Sequence, residues 1–119
     1  MQAVVVIAGP ANSGKMPLAR KLLAENAYLV LVHRDHLRTS FEAQVDEWDI
    51  TLLMAALARG ILKIGRSPLI VAWNLEHADR KLWTEIALHF DVDLIWHDTR
   101  DPNVAAMIPP MGDAQMAAE

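Results

Sequence analysis

Apolar residues in this chain alternate between two periodicities, short continuous runs and stripes at helical spacing. AVVVIA at 3–8 is a β-branched run, the pattern of a parallel strand covered on both faces. YLVLV at 28–32, LIVA at 69–72 and VDLIW at 92–96 predict three more strands. Between them, Leu18, Leu22 and Leu23 predict a helix running to about Asn26. Ile50, Leu53, Met54, Leu57, Ile61 and Leu62 predict a second, stopped by Gly65 to Pro68. Leu82, Ile86 and Phe90 predict a third, with Asp79 as its N-cap. His33 to Ala43 reads as a turn into a short helix, and Glu42, Asp46, Glu47 and Asp49 as a solvated acidic connector.

Strands that alternate with helices imply an α/β fold of three layers, a parallel sheet with right-handed crossovers and helices on both faces. Ligands in such sheets bind at the carboxyl ends of the strands. Those ends are here residues 9–14, 33–38, 72–74 and 97–100, which therefore converge on one edge. Residues 1–98 carry the pattern of the domain. Residues 99–119 read as an irregular tail rich in Pro, Met and Ala, with a short helix at Ala114 to Ala118.

Composition narrows the picture. At 119 residues, 53% hydrophobic and 22% charged, the chain is one globular domain. A net charge of −4 gives no global attraction to nucleic acid, so any polyanion contact needs a local basic cluster. Without cysteine there are no disulfides or thiolate metal sites. The apolar start is too short for a signal peptide or a membrane span, so a cytoplasmic protein with no membrane contact is expected. His33 and His36 lack a third metal ligand, and no metal site is expected. Trp73, Trp83 and Trp96 read as packing residues, Trp73 beside the pocket.

The most specific motif is GPANSGKMP at 9–17. A glycine-rich loop between strand and helix aims successive N–H groups at an anion, aided by the helix dipole. Gly9, Asn12, Ser13, Gly14, Lys15 and Met16 are the expected nucleotide-binding positions, with Lys15 reaching the outer phosphates. Two letters depart from G-x-x-x-x-G-K-[ST]. Met16 replaces the hydroxyl that ligates Mg²⁺, and a thioether is a poor ligand for a hard cation. Pro17 removes an N–H available to the α-phosphate.

HRDHLRTS at 33–40 places Asp35 and Arg38 on one side of a starting helix. By spacing alone the pair is either a helix cap with a solvated arginine, or a carboxylate base beside a phosphate grip.

These motifs, with NLEHADRKLW at 74–83, resemble the kinase domain of phage polynucleotide 5′-kinases and related P-loop kinases, over Val4 to about Asp98. The resemblance implies a sheet of order 2-3-1-4. It also implies Asp35 as the general base, Lys15 and Arg38 as further catalytic residues, and Arg34, Arg38 and Asn74 on the substrate side. ATP and Mg²⁺ would be the cofactors of an active member. The chain also departs from that family. Ala72 and Trp73 stand where an aspartate and a small polar residue are usual, and Arg100 alone stands where a basic lid helix is usual. One clamping arginine can be worth about 10³–10⁵ in rate. The expected function is therefore a kinase-fold protein with impaired or lost phosphoryl transfer. It would bind a nucleotide, a 5′ nucleic-acid end or, through its C-terminal tail, a protein partner, as a small phage-encoded effector. The alternatives are an active kinase acting on a 5′-hydroxyl or small metabolite, and a scaffold for protein interaction alone.

Overall fold

A computed structural model describes residues 1–73 and 76–110. The expectations for Asn74 and for a helix at 114–118 lie outside the described residues. In chain order the elements are β1 (Ala3–Ala8), α1 (Lys15–Glu25), β2 (Leu29–His33), α2 (Arg34–Arg38), α3 (Glu47–Lys63), β3 (Ser67–Val71), α4 (His77–His89), β4 (Asp93–Asp98) and α5 (Pro102–Ala105).

The four strands form one parallel sheet in the order β2-β3-β1-β4, with Val5 opposite Leu69 and Ile95, and Leu31 also opposite Leu69. β1 is central and wholly buried, and its alternate side chains feed two cores. Val4 and Val6 join Val32 and Ile70 beneath α3 and α4, where Ile50, Met54, Trp83 and Ile86 pack. Ala3, Val5 and Ile7 face the other way, with Leu69 and Val71, under Met16, Leu18 and Ala19 of α1 and Val104 of α5. Burying each such aliphatic side chain contributes about 1.5–3 kcal/mol, which is why an uninterrupted apolar strand sits in the middle of the sheet.

The element boundaries correct the sequence reading in three places. Asp46 is not part of a connector: its side chain accepts the Trp48 amide at 2.8 Å and caps α3, so Glu47 and Asp49 lie in the first helical turn. Asp79 is not the cap of α4, which starts at His77 with Glu76 in the cap position; Asp79 sits in the first turn, where its charge suits the helix dipole. Beyond Asp98 the chain is ordered enough to build α5, capped by Asp101 accepting the Asn103 amide at 2.8 Å. At the far end of α4, Asp91 adopts a left-handed conformation (φ 54°) and the Val92 amide reaches back to the Ala87 carbonyl at 3.0 Å. No described helix is long and apolar enough to cross a membrane.

The strand order switches between β1 and β3: the chain leaves β1 for the far edge strand β2, returns to β3, and then crosses to β4. The crevice at the carboxyl ends of β1 and β3 is where this topology opens a ligand site.

Candidate functional site

The loop after β1 is built from both ends of the sequence. The Gly9 amide donates to the Trp73 carbonyl at 3.0 Å, joining the ends of β1 and β3. The Thr99 hydroxyl, just past β4, donates to Ser13 Oγ at 2.8 Å. A Cβ at Gly9 would collide with the Thr99 hydroxyl, and one at Gly14 would lie 2.8 Å from Ile108 Cδ1. Gly14 also takes φ 95°, which a side chain strains. Asn12, at φ 59°, is the other left-handed residue of the turn. The two glycines thus make room for the segment 99–108.

Lys15 is buried, and its Nζ donates to the Gly9 and Pro10 carbonyls at 2.9 Å each. The ammonium closes the loop on itself. Met16 is 5% exposed and packs into the core with Ile7, Leu18 and Val104. Its side chain therefore belongs to the interior under α1. The residues present do not fit a magnesium ion at this loop. The hydroxyl position holds a thioether, the Ser13 hydroxyl is engaged by Thr99, and Ala72 offers no side-chain oxygen.

The second cluster stands at the end of β2. His33, the last strand residue, is buried, and its Nδ1 has no hydrogen-bond partner among the described residues. Its Nε2 lies 3.9 Å from Asp35 Oδ2, and its ring meets that of His36 edge-on at 4.3 Å. Burial holds His33 below the ordinary histidine range, with the positive fields of His36 and Lys15 adding to the effect and Asp35 opposing it.

Asp35 and Arg38 are together as the spacing suggested: Arg38 Nη1 donates to Asp35 Oδ1. The acidic residues Glu42, Asp46, Glu47 and Asp49 are exposed, as expected, and Glu47 in addition pairs with arginine. Glu47 is the hub of the cluster, because the turn after α2 brings the first turn of α3 back over it. Its carboxylate accepts from Arg38 Nη2 at 2.6 and 2.9 Å and from Arg38 Nε at 3.1 Å. It also accepts from Arg34 Nη1 at 3.0 Å, while Arg34 Nη2 donates to Thr51. Both arginines that would grip a phosphate are therefore occupied by one internal carboxylate. A pocket of about 360 Å³ opens on this cluster, lined by Arg34, Arg38, Glu47, Trp48, Thr51, Trp73, Glu76 and Asp79. Trp48 and Trp73 are half exposed at its walls. Trp73 joins the two halves, its carbonyl on Gly9 and its ring in the pocket.

Burial raises Asp79 above the usual carboxylate range, and the Arg34 charge partly offsets this. Arg100 does not serve as a free clamp. Its Nη2 donates to Asp98 Oδ2 at 2.6 Å, which also lowers the Asp98 pKa. Trp83 is fully buried beneath the sheet, and Trp96 carries the Arg80 guanidinium 4.5 Å above its ring. Sequence reasoning missed Glu47, Trp48, Thr51, Glu76, Asp79 and Thr99 as site residues. Only the i, i+4 spacing of Glu47 and Thr51 signalled that two of them share a helix face.

A parallel 2-3-1-4 sheet with a glycine-lysine loop between its central strand and the next helix defines a P-loop kinase fold. The chain belongs to the family described as an AAA domain, whose model matches residues 4–108. Among solved structures, it is similar to a chain of the Pnkp1/Rnl/Hen1 complex, with 19% identity and a TM-score of 0.72 over 93% of this chain and 40% of that one. A chain of the Pnkp1/Rnl/Hen1 RNA repair complex gives 17% identity and a TM-score of 0.71, covering 98% of this chain and 42% of that one. The Mycobacterium tuberculosis APS kinase CysC, in complex with AMPPNP and APS, is 19% identical with a TM-score of 0.60, over 90% of this chain and 69% of that one. This chain therefore spans about two fifths of the length of the Pnkp1/Rnl/Hen1 chains it resembles. No curated protein matches it.

Proposed function

We propose that this protein is a P-loop kinase-fold binding protein with impaired or lost phosphoryl transfer. It holds a nucleotide or a phosphate-bearing nucleic-acid end across the crevice between Lys15 and the Arg34–Arg38 pocket. One observation carries the reading: Met16, at the position of the metal-binding hydroxyl, is buried in the core rather than presented to the loop. Phosphoryl transfer rests on positioning and on neutralising charge at the transferring group. Here the hydroxyl position holds a thioether, Pro17 withholds an N–H, and Arg100 is paired with Asp98. Binding asks for less. Lys15 can exchange two carbonyl partners for phosphate oxygens, and the arginines can exchange Glu47 for an external anion of the same charge-assisted kind. In this reading Asp35 remains beside Arg38 as the group that would take a hydroxyl proton, without the charge neutralisation that would make the transfer fast.

The similarity to a chain of the Pnkp1/Rnl/Hen1 RNA repair complex supports a nucleic-acid end as ligand class, and that to an APS kinase in complex with AMPPNP supports a nucleotide in the loop. The test restores the two altered letters together. Met16→Ser with Pro17→Thr returns a hydroxyl and an N–H, each worth about 1.5–3 kcal/mol as a charge-assisted contact. Affinity for ATP–Mg²⁺ by calorimetry is expected to rise at least tenfold. Transfer to a 5′-hydroxyl oligonucleotide is expected to stay poor, because Ala72 and Arg100 are untouched. Emptying the Met16 site also costs about 2–5 kcal/mol of stability, so the titration is run well below the melting temperature. Measurable phosphoryl transfer by the unaltered protein would overturn the reading in favour of a working kinase.

A further inference from the structure

Two of the chain's four tryptophans stand half exposed, and both line one pocket. Trp48 is 52% exposed and Trp73 57%, whereas Trp83 is buried and Trp96 lies beneath the Arg80 guanidinium. Both are fixed through their backbones. Asp46 accepts the Trp48 amide at 2.8 Å at the start of α3, and the Trp73 carbonyl accepts the Gly9 amide at 3.0 Å just past β3. The pocket they share holds about 360 Å³, at the small end of the range for ligand sites, about 300–1,000 Å³. Indole surface left wet in a concave site is a platform for a flat ring, and every nucleobase has a π-face to lay on it.

The polar groups of the pocket decide which ring. Arg34 and Arg38 are the residues to which the proposed function gives a phosphate, so a base carried by the same ligand falls to the indoles and to the start of α4. There the pocket meets Glu76, in the cap position, and Asp79. Asp79 is already used: its carboxylate accepts the Glu76 amide and lies in the field of Arg34. The Glu76 carboxylate is exposed to the pocket and makes no hydrogen bond or ion pair with another described residue. A carboxylate offers two acceptors side by side and no donor. Guanine alone among the bases carries two adjacent donors, N1–H and the N2 amino group, on its pairing edge. Adenine and cytosine set their amino group beside a ring acceptor, and thymine sets its N3–H between two carbonyls, so each would bring an acceptor against Glu76. An organic cation also suits indoles and a carboxylate, but here it would share the same small volume with Arg34 and Arg38.

We propose that this pocket reads an unpaired guanine at the end of a nucleic acid, its ring stacked on Trp48 and Trp73 and its N1–H and N2–H donating to the Glu76 carboxylate. The inference rests on the proposed function, in which the adjoining phosphate is held by Arg34 and Arg38. A base paired in a duplex does not enter, because its pairing edge is taken and its neighbour covers one face. The site therefore selects single-stranded ends, and Glu76 is the residue that sets its specificity.

Single-stranded oligodeoxynucleotides of one length test this, each 5′-phosphorylated and differing only in the first residue: G, A, C, T or an abasic sugar. Affinity is read by calorimetry and stacking by the quenching of tryptophan emission, with melting curves of each variant as a control on folding. The G-ended strand is expected to bind about tenfold or more tightly than the A-ended one, as a bidentate contact discriminates, and to quench the emission. A blunt duplex with the same G at its end is expected to bind no better than the abasic strand. Trp48→Ala and Trp73→Ala are each expected to weaken the G-ended strand about fivefold or more beyond their effect on the abasic strand, and Trp73→Phe to recover most of that loss. Glu76→Gln, which keeps the shape but replaces one acceptor by a donor, is expected to remove the preference for G over A. Strands that bind alike whatever their first residue, the abasic one included, overturn this inference and leave the proposed function standing. A G preference that Glu76→Gln does not change also overturns it. Failure of every strand to bind overturns both readings, and quenching by choline with none by any strand overturns both in favour of a cationic ligand.

Discussion

Glu47 holds both arginines that the proposed function gives to a phosphate, with contacts at 2.6–3.1 Å to Arg34 and Arg38. In that reading an anion must first break the cluster, and the Glu47 carboxylate competes with it for the arginines. Glu47→Gln keeps the shape and removes the competing charge. Affinity for a 5′-phosphorylated oligonucleotide, read by fluorescence titration, is expected to rise about tenfold, roughly half of the 1.5–3 kcal/mol of one charged hydrogen bond. Arg38→Ala is expected to weaken the same binding more than Asp35→Asn. The arginine supplies attraction, whereas the aspartate repels a polyanion. Equal and negligible effects of both changes would show that the cluster only braces the turn. The loop position of Lys15 and the contact of Asp35 with Arg38 were legible in the sequence, because both spacings are local and tied to a loop and a helix start. Glu47 was not, because its role arises from a turn that folds α3 back onto α2, and its charge alone reads as solvated.

Helices and strands were legible in proportion to how much apolar surface they bury. β1 and β3 are buried on both faces, so their sequences are nearly unbroken hydrophobic runs. β4 lies at the sheet edge with Asp93 and Ile95 exposed, and its extension through His97 and Asp98 was missed. The first turn of α3 was missed because it is capped and charged, and α5 because four residues show no period. The end of α4 carries a local cost that can be removed. Asp91 holds a left-handed conformation, which disfavours a side chain by about 1–2 kcal/mol. Part of that is offset by the greater freedom of glycine when unfolded, so Asp91→Gly is expected to stabilise by about 0.5–1 kcal/mol, a rise of a few degrees in the melting temperature. No change, or a loss, would mean that the Asp91 side chain stabilises the turn by more than its conformation costs.

Folding and protonation are linked through two histidines at the strand ends. Burial lowers the pKa of His33 and of His97, so the folded form of each binds a proton less readily than the unfolded chain does. Below the ordinary histidine pKa the unfolded state takes up more protons, and stability falls as the pH falls. The contribution is complete above about pH 7 and is lost progressively on acidification through the ordinary range near 6.5. Melting curves between pH 7.5 and pH 5.5 are expected to show this decline, and His33→Gln with His97→Gln is expected to flatten it. A flat profile in the unaltered protein would mean that neither histidine is desolvated as the fold implies.

The contacts of residues 99–108 with the loop bear on how its sequence can change over time. Gly9 and Gly14 are required by Thr99 and Ile108 whether or not an anion ever enters, and Lys15 has carbonyl partners of its own. Packing alone would hold these letters through random substitution. A lineage of this fold could lose nucleotide binding altogether and still display G-x-x-x-x-G-K. In such a lineage the trace would fall at the next position, which in this chain is Met16, packed in the core.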